Sequence, residues 1–245
     1  MRTDLEPAQV RTVIDSSSEA DFLWRTLREH VGFRARVARH WLFAGHFVRA
    51  AAIRRYLAGT NEPKLHLGAT HEVSGFLNSQ ILGRVPIDVA HRMPVPDDTF
   101  TLIYSSHLVE HLHRREFHRF LADGLRVLRP GGVMIAAAPS AEKIARYVYG
   151  PDSPARQEAY ARGMSRFVDP VHTSGHHINL AMRGYGHRFL YDSEYMRWVG
   201  AAIGYAAVET IGNFAVPDDA LRRYLVEQKP PRWDLQTETW VFRKA

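Results

Sequence analysis

Residues 87–140 read IDVAHRMPVPDDTFTLIYSSHLVEHLHRREFHRFLADGLRVLRPGGVMIAAAPS. Thr101-Leu102-Ile103-Tyr104 is a short apolar run of the kind that a parallel strand buried on both faces shows. Downstream, Phe117, Leu121, Leu125 and Leu128 follow one another at spacings of four, four and three, which puts them on one side of a helix. Arg115, Arg119 and Asp123 take the other side. Arg129-Pro130-Gly131-Gly132 predicts the end of that helix, because proline cannot continue it and glycine suits its C-terminal cap. Val133 to Ala138 predicts a second buried strand. The three together make a β-α-β unit, whose crossover in a parallel sheet is right-handed.

Composition narrows the function classes. The chain has 245 residues, 45% of them hydrophobic, enough for a proper core in one large domain or a domain with a helical extension. It has no cysteine, which excludes a disulfide framework, a thiolate nucleophile and a cysteine metal site. No long uncharged apolar run predicts a transmembrane helix. Residues 1–21 mix acids and polar residues and lack the apolar core of a signal peptide, so a cytoplasmic protein is the expectation. The net charge of +6 comes almost wholly from arginine, the lysines being Lys64, Lys143, Lys229 and Lys244. Without a basic tail or an aromatic-basic ladder, that charge reads as a solvated basic surface, and a nucleic-acid partner is not expected.

The opening stretch also carries a resemblance. Asp88, the loop Pro94-Val95-Pro96-Asp97, Thr99-Phe100-Thr101, the H-x-x-E-H of His107 to His111, and the L-R-x-L-R-P-G-G of Leu125 to Gly132 are similar to the central half of class I S-adenosylmethionine-dependent methyltransferases of the broad type 11 group. The resemblance implies a Rossmann-like α/β fold with a seven-stranded sheet whose last strand is antiparallel. It implies S-adenosylmethionine as cofactor. Carried onto this chain, it makes Asp88 the acceptor for the adenine amino group, with the backbone near Val89 completing the adenine edge. Ser105, Ser106 and His107 would stand beside the methionine and the reacting sulfonium. For Asp88 the alternative is a strand-end aspartate that caps the next turn. For Glu110 and His111, expected on the first turn of the helix, it is a cap near the positive helix end.

Around that centre, Lys64 to Gly68 reads as the first strand and the start of its turn, where backbone must approach the ligand. Gly68 and Ala69 are cofactor candidates there. The family has an acidic residue where this chain has His66, and a further glycine where it has Ala69-Thr70-His71. Gly75-Phe76-Leu77-Asn78-Ser79-Gln80 resembles a subgroup pattern G-W-x-N-x-D whose acid holds the ribose hydroxyls; here Gln80 takes that place. The stretch from Leu67 to Phe76 is too short for a normal crossover helix, so the first α-element is expected to be shortened or irregular. Val85 to Asp88 is expected to end the third strand.

Residues 1–60 read as an N-terminal helical cap and residues 61–245 as the methyltransferase domain. In the cap, Ser18 to Asp21 has capping-box spacing before a helix with Leu23, Leu27 and Val31 on one face. A second helix spans Phe33 to about Leu57, with Val37, Trp41, Ala44 and Val48 as its stripe and Gly59 as its stop. Its arginines leave open a peripheral contact with an anionic membrane, against a cap packed on the domain with arginine stems covering apolar surface. Near the C-terminus, Asp192-Ser193-Glu194 starts a helix with Met196, Val199 and Ile203 inward and Gly204 at its end. Strands are expected at Ala206 to Ile211 and Thr237 to Phe242, with a helical turn opened by Asp218-Asp219 between them.

A lid is expected over about 139–191, where substrate information should lie. Tyr147, Tyr149, Tyr160, His172, His176, His177, Arg183 and Tyr185 form an aromatic and hydrogen-bonding set suited to a small-molecule or saccharide acceptor. Methyl transfer from a sulfonium is an in-line displacement, so the protein must align the partners and remove the acceptor proton. For a hydroxyl acceptor the candidate bases are His177, His187 and His172, in that order. Asp169, His172, His176 and His177 cluster in sequence, but Pro170 and Gly175 break any helix that would gather them, and no metal is assigned. Two other readings stay open: a non-catalytic cofactor- or ligand-binding relative, and a nucleic-acid or membrane-lipid methyltransferase.

Overall fold

The computed structural model describes residues 46–150, 174–229 and 233–245, together with Gly32. Helix α1 (His46–Ala58) leads into β1 (Lys64–Leu67) and β2 (Leu77–Ser79). β3 (Phe100–Ser106), α2 (Arg114–Val127) and β4 (Leu128–Pro139) follow, then α3 (Ala141–Tyr149) and α4 (Ser174–Arg183). The chain closes with α5 (Ser193–Ile203), β5 (Ala207–Ile211), α6 (Asp219–Gln228), the single turn α7 (Trp233–Gln236) and β6 (Thr237–Arg243). The strands form one sheet in the order β2-β1-β3-β4-β6-β5. The first four are parallel, and β6 runs antiparallel to both β4 and β5. This is the Rossmann-like α/β arrangement, and no helix among the described residues is long and apolar enough to cross a membrane.

β3-α2-β4 is the expected unit. Phe100, Ile103 and Tyr104 in β3 and Met134, Ile135 and Ala136 in β4 are fully buried, because parallel strands are covered on both faces. Helix α2 lays Phe117, Phe120 and Leu121 onto that surface at full burial, each stabilising by about 1.5–3 kcal/mol. On the other face Val73, Tyr104, Leu221, Tyr224 and Val241 make a second cluster. Helix α5 buries Met196 and Val199, with Ile203 packed against the core, and Gly204 caps it in the left-handed conformation. Asp218 caps α6 and also takes the Lys64 ammonium at 2.7 Å, tying that helix to the start of β1.

Four expectations need correction. The described sheet has six strands, and Val85 to Asp88 is not one of them. Pro86 has no amide hydrogen for a ladder, and its carbonyl is taken instead by the Arg49 guanidinium of α1 at 3.3 Å. The Arg129-Pro130-Gly131-Gly132 stretch does not cap α2, which stops at Val127 with Leu128 already extended. It lies within β4 as an irregularity: Phe100 pairs with Leu128, but Leu102 pairs with Val133. Gly131 turns there at φ +73°, and a Cβ on Gly132 would sit 2.8 Å from the Arg129 carbonyl. Val109 to His111 is a separate 3₁₀ turn rather than the first turn of α2. Finally, Val48 is exposed; α1 packs through Arg49, Ala52, Ile53 and Tyr56, one position around. Val37, Trp41 and Ala44, like the predicted first helix, lie outside the described residues.

The short first connection reads correctly. Residues 68–76 contain no helix, yet β1 and β2 pair in parallel. One amide holds this loop. Asn78 Oδ1 accepts from the Val73 backbone N–H at 2.9 Å, and Nδ2 donates to the Val73 and Phe76 carbonyls. The same Oδ1 faces His66 Nδ1 at 3.1 Å, so that nitrogen carries the ring proton. His66 lies between Tyr104 and Tyr224, at ring-centroid distances of 5.1 and 5.7 Å, and burial pushes its pKa down from 6.5 to about 4. Replacing Asn78 with alanine leaves the buried Val73 N–H without its acceptor and removes the amide donor from the Val73 and Phe76 carbonyls, the former keeping only the Phe76 N–H, so chemical denaturation should show a loss of about 3 kcal/mol. His66 stays neutral in the folded chain while its unfolded counterpart takes a proton below its ordinary value. Stability should therefore fall as pH drops from 6.5 towards 4, by about 3 kcal/mol in all. Urea midpoints of His66→Gln should lose that slope; an identical slope in the variant would assign it to other groups.

Candidate active site

The C-terminal ends of β1 and β3 bring Gly68, Ala69, Ser105, Ser106 and His107 together. Ser79, Leu67, Ser105 and Ala136 stand in one row across β2, β1, β3 and β4. Side chains in such a row share a face of the sheet. Gly68 follows at φ +70°, and a Cβ there would meet Leu108 Cδ1 at 3.4 Å. Ala69 donates its N–H to the Ser79 carbonyl at 3.0 Å. The Ser79 and Ser105 hydroxyls are buried with no hydrogen-bond partner among the described residues. A polar ligand at the strand ends would supply what they lack, so these residues fit the donor that the resemblance implies. Ser106 is half-buried beside them.

The adenine side differs. Asp88 Oδ1 accepts from the Ala90 N–H at 3.0 Å and Oδ2 meets His91 Nδ1 at 2.9 Å, so the carboxylate caps its own turn. Val89 is packed in the main core. Gln80 is exposed just beyond β2, its carbonyl closing a tight turn with Gly83.

Beyond β3 and β4 lies a cavity of about 250 Å³ whose polar lining includes His107, His111, Tyr147, His177, Tyr185 and His187. Helices α3 and α4, from the expected lid, form its wall through the packing of Ile144, Tyr147 and Val148 against Ile178, Ala181 and Leu190. His177 is 5% exposed. Tyr149 is exposed instead, at 67%. His172, Tyr160 and Asp169 lie outside the described residues, as does the side chain of His176.

His107 joins the two regions. It adopts φ +51°, donates its N–H to the Ala137 carbonyl, and sets Nε2 3.2 Å from Thr237 Oγ1 and Nδ1 3.1 Å from Glu110 Oε1. Glu110 is fully buried, and its backbone carbonyl accepts from the Arg188 N–H at 2.7 Å, docking the segment that follows α4. His187 Nδ1 lies 2.7 Å from the Ala181 carbonyl, which can only accept. The ring proton is therefore on Nδ1, and Nε2 carries a lone pair. Burial, the largest cause, holds the His187 pKa below its ordinary value. The His111 and His187 rings meet edge to face at 5.0 Å.

The structure brings His177 and His187, both named as candidates from the sequence, to one cavity, and Gln236, which sequence reasoning missed, lines it too. The signal was the antiparallel strand β6: its Thr237 pairs with Pro139 at the end of β4, which sets the preceding residue at the cavity mouth.

A family model described as a methyltransferase domain matches residues 76–136. No curated protein matches the chain. Among solved structures, a phosphoethanolamine N-methyltransferase from Haemonchus contortus in complex with S-adenosyl-L-methionine is similar at 11% identity and a TM-score of 0.43, over 80% of this chain and 52% of its own. A methyltransferase from Archaeoglobus fulgidus is similar at 14% identity and a TM-score of 0.43, over 79% of this chain and 92% of its own. The CurJ carbon methyltransferase is similar at 14% identity and a TM-score of 0.40, over 75% and 48%. The chain spans about half the length of the first solved structures it matches. The sheet order is that of a Rossmann-like α/β fold, and within it residues 76–136 are similar to a methyltransferase domain.

Proposed function

We propose that the chain transfers a methyl group from S-adenosylmethionine to a hydroxyl of a small molecule or saccharide, with His177 as the general base. The observation that carries this is the cavity beyond β3 and β4, in which imidazoles and the Tyr147 and Tyr185 rings surround a space of small-molecule size. A hydroxyl must lose its proton as the carbon–oxygen bond forms, and an imidazole serves that purpose near neutrality. Gly68, Ala69, Ser105, Ser106 and His107 hold the donor in this reading, Gln80, Asp88 and Val89 lie on its adenosine side, and His187 and His172 are the further base candidates. Residues 1–60 act as the cap and about 139–191 as the lid.

A second reading, a non-catalytic relative that only binds cofactor or ligand, draws on Asp88, whose carboxylate is already committed to its own turn. Calorimetric titration with S-adenosylhomocysteine, followed by turnover on a panel of hydroxylated acceptors, separates the two. Catalysis predicts micromolar binding, weakened in Gly68→Val, and a kcat that falls about a hundredfold in His177→Ala while S-adenosylhomocysteine affinity holds. Binding without turnover on any acceptor would favour the non-catalytic relative. Unchanged turnover in His177→Ala would remove that base and favour a nitrogen acceptor.

A further inference from the structure

Glu110, His111 and His187 each offer a ligand atom, and these atoms all lie within 4.8 Å of one another at the wall of the cavity. Two features set them apart from a chance cluster. Glu110 is fully buried, yet neither carboxylate oxygen makes a hydrogen bond among the described residues; its contact with His107 Nδ1, at 3.1 Å, lacks hydrogen-bond geometry. A buried carboxylate left in that state is costly unless something cationic completes it. The second feature is the His187 ring. Its Nδ1–H is spent on the Ala181 carbonyl, which orients the ring and leaves the lone pair on Nε2, the arrangement that outer-shell partners impose on metal-ligating histidines.

The geometry points to a divalent metal site built from the Glu110 carboxylate, His111 and His187 Nε2, open towards the cavity. Two imidazoles and one carboxylate suit a first-row divalent ion, zinc above all, which takes three protein ligands and keeps a position for a further oxygen. Calcium and magnesium, which prefer all-oxygen shells, fit the donor set poorly. The cluster differs from the sequence grouping of Asp169, His172, His176 and His177, because it joins the turn after β3 to the segment returning from the lid. Its role in transfer rests on the hydroxyl reading above; its binding does not. In that role the acceptor oxygen occupies the open position and its proton passes to His177. The oxygen pair then forms the bond to the methyl carbon, and the breaking carbon–sulfur pair stays on sulfur as S-adenosylhomocysteine leaves. His187 is then a ligand, and the base is His177.

The test is metal binding by the full chain, without substrate. Chelator-stripped protein is titrated calorimetrically with Zn²⁺, and Co²⁺ is added to a parallel sample for its visible d–d spectrum. One Zn²⁺ per chain and the absorption of a four- or five-coordinate cobalt site are expected. Both should be lost, or affinity weakened at least about tenfold, in His111→Ala, His187→Ala and Glu110→Gln, and preserved in His71→Ala, an exposed histidine elsewhere. His111 is itself exposed, so its variant remains decisive should the buried Glu110→Gln fail to fold, as judged by circular dichroism. No stoichiometric uptake, or uptake that His111→Ala and His187→Ala leave unchanged, would overturn the site and leave Glu110 and His107 as a simple ion pair. S-adenosylhomocysteine titrated into the same samples reports on the methyl-donor site separately.

Discussion

Burial of β3 between β1 and β4 constrains everything else in this molecule. A parallel strand covered on both faces offers little side chain to water: Phe100, Ile103 and Tyr104 are without exposure, and only Thr101 and Ser106 of β3 are partly exposed. Chemistry can then occur only where the strands stop. At those stops the residue types change abruptly, from apolar runs to Gly68, Ser79, Ser105, Ser106 and His107. At this placement the hydroxyls of Ser79 and Ser105 are buried without a hydrogen-bond partner among the described residues.

How much could be read from the sequence follows from the range of the forces involved. The β3-α2-β4 unit and α5 were legible because apolar periodicity and local caps, such as Gly204 and Asp218, act over a few residues. The Val85–Asp88 strand was not: this stretch has no strand partner among the described residues, and Arg49, far away in sequence, reaches the Pro86 carbonyl. Arg129 to Gly132 has the composition of a helix stop, yet it makes an irregularity within β4, where the Gly131 N–H donates to the Ala245 carbonyl and the Lys244 N–H to the Gly132 carbonyl, partners far away in sequence. Of the candidate site, the residue types were visible and the burial was not. Glu110 read as a helix-end acid; only the docking of Arg188 and Phe189 on its carbonyl shows that it is sealed from water.

The missing crossover helix between β1 and β2 has a structural substitute. A helix would satisfy its own backbone, but the loop 68–76 cannot, and Asn78 satisfies part of it with both ends of one amide. That duty ties the amide to His66, so the place where the resemblance led one to expect an acid carries a neutral ring. The ring lies against Tyr104 and Tyr224, and both its burial and the nearby Lys229 charge oppose its protonation. His66 and the loop are thus held by the same Asn78 amide.

The histidines of the cavity are distinguished by what their two nitrogens already do. His107 has Nε2 at Thr237 and Nδ1 at Glu110, which suits it to holding the turn after β3 in its left-handed conformation. His187 has one nitrogen committed to a carbonyl and so presents a lone pair, not a proton, to the space it faces. Burial lowers its pKa and keeps that lone pair available at neutral pH. A lone pair beside a buried carboxylate attracts a cation, whether a proton or a metal ion, and the two compete for the same atoms. Protonation would restore charge balance around Glu110 but would close the acceptor face of the ring. A divalent ion would restore the same balance and leave an open coordination position facing the cavity.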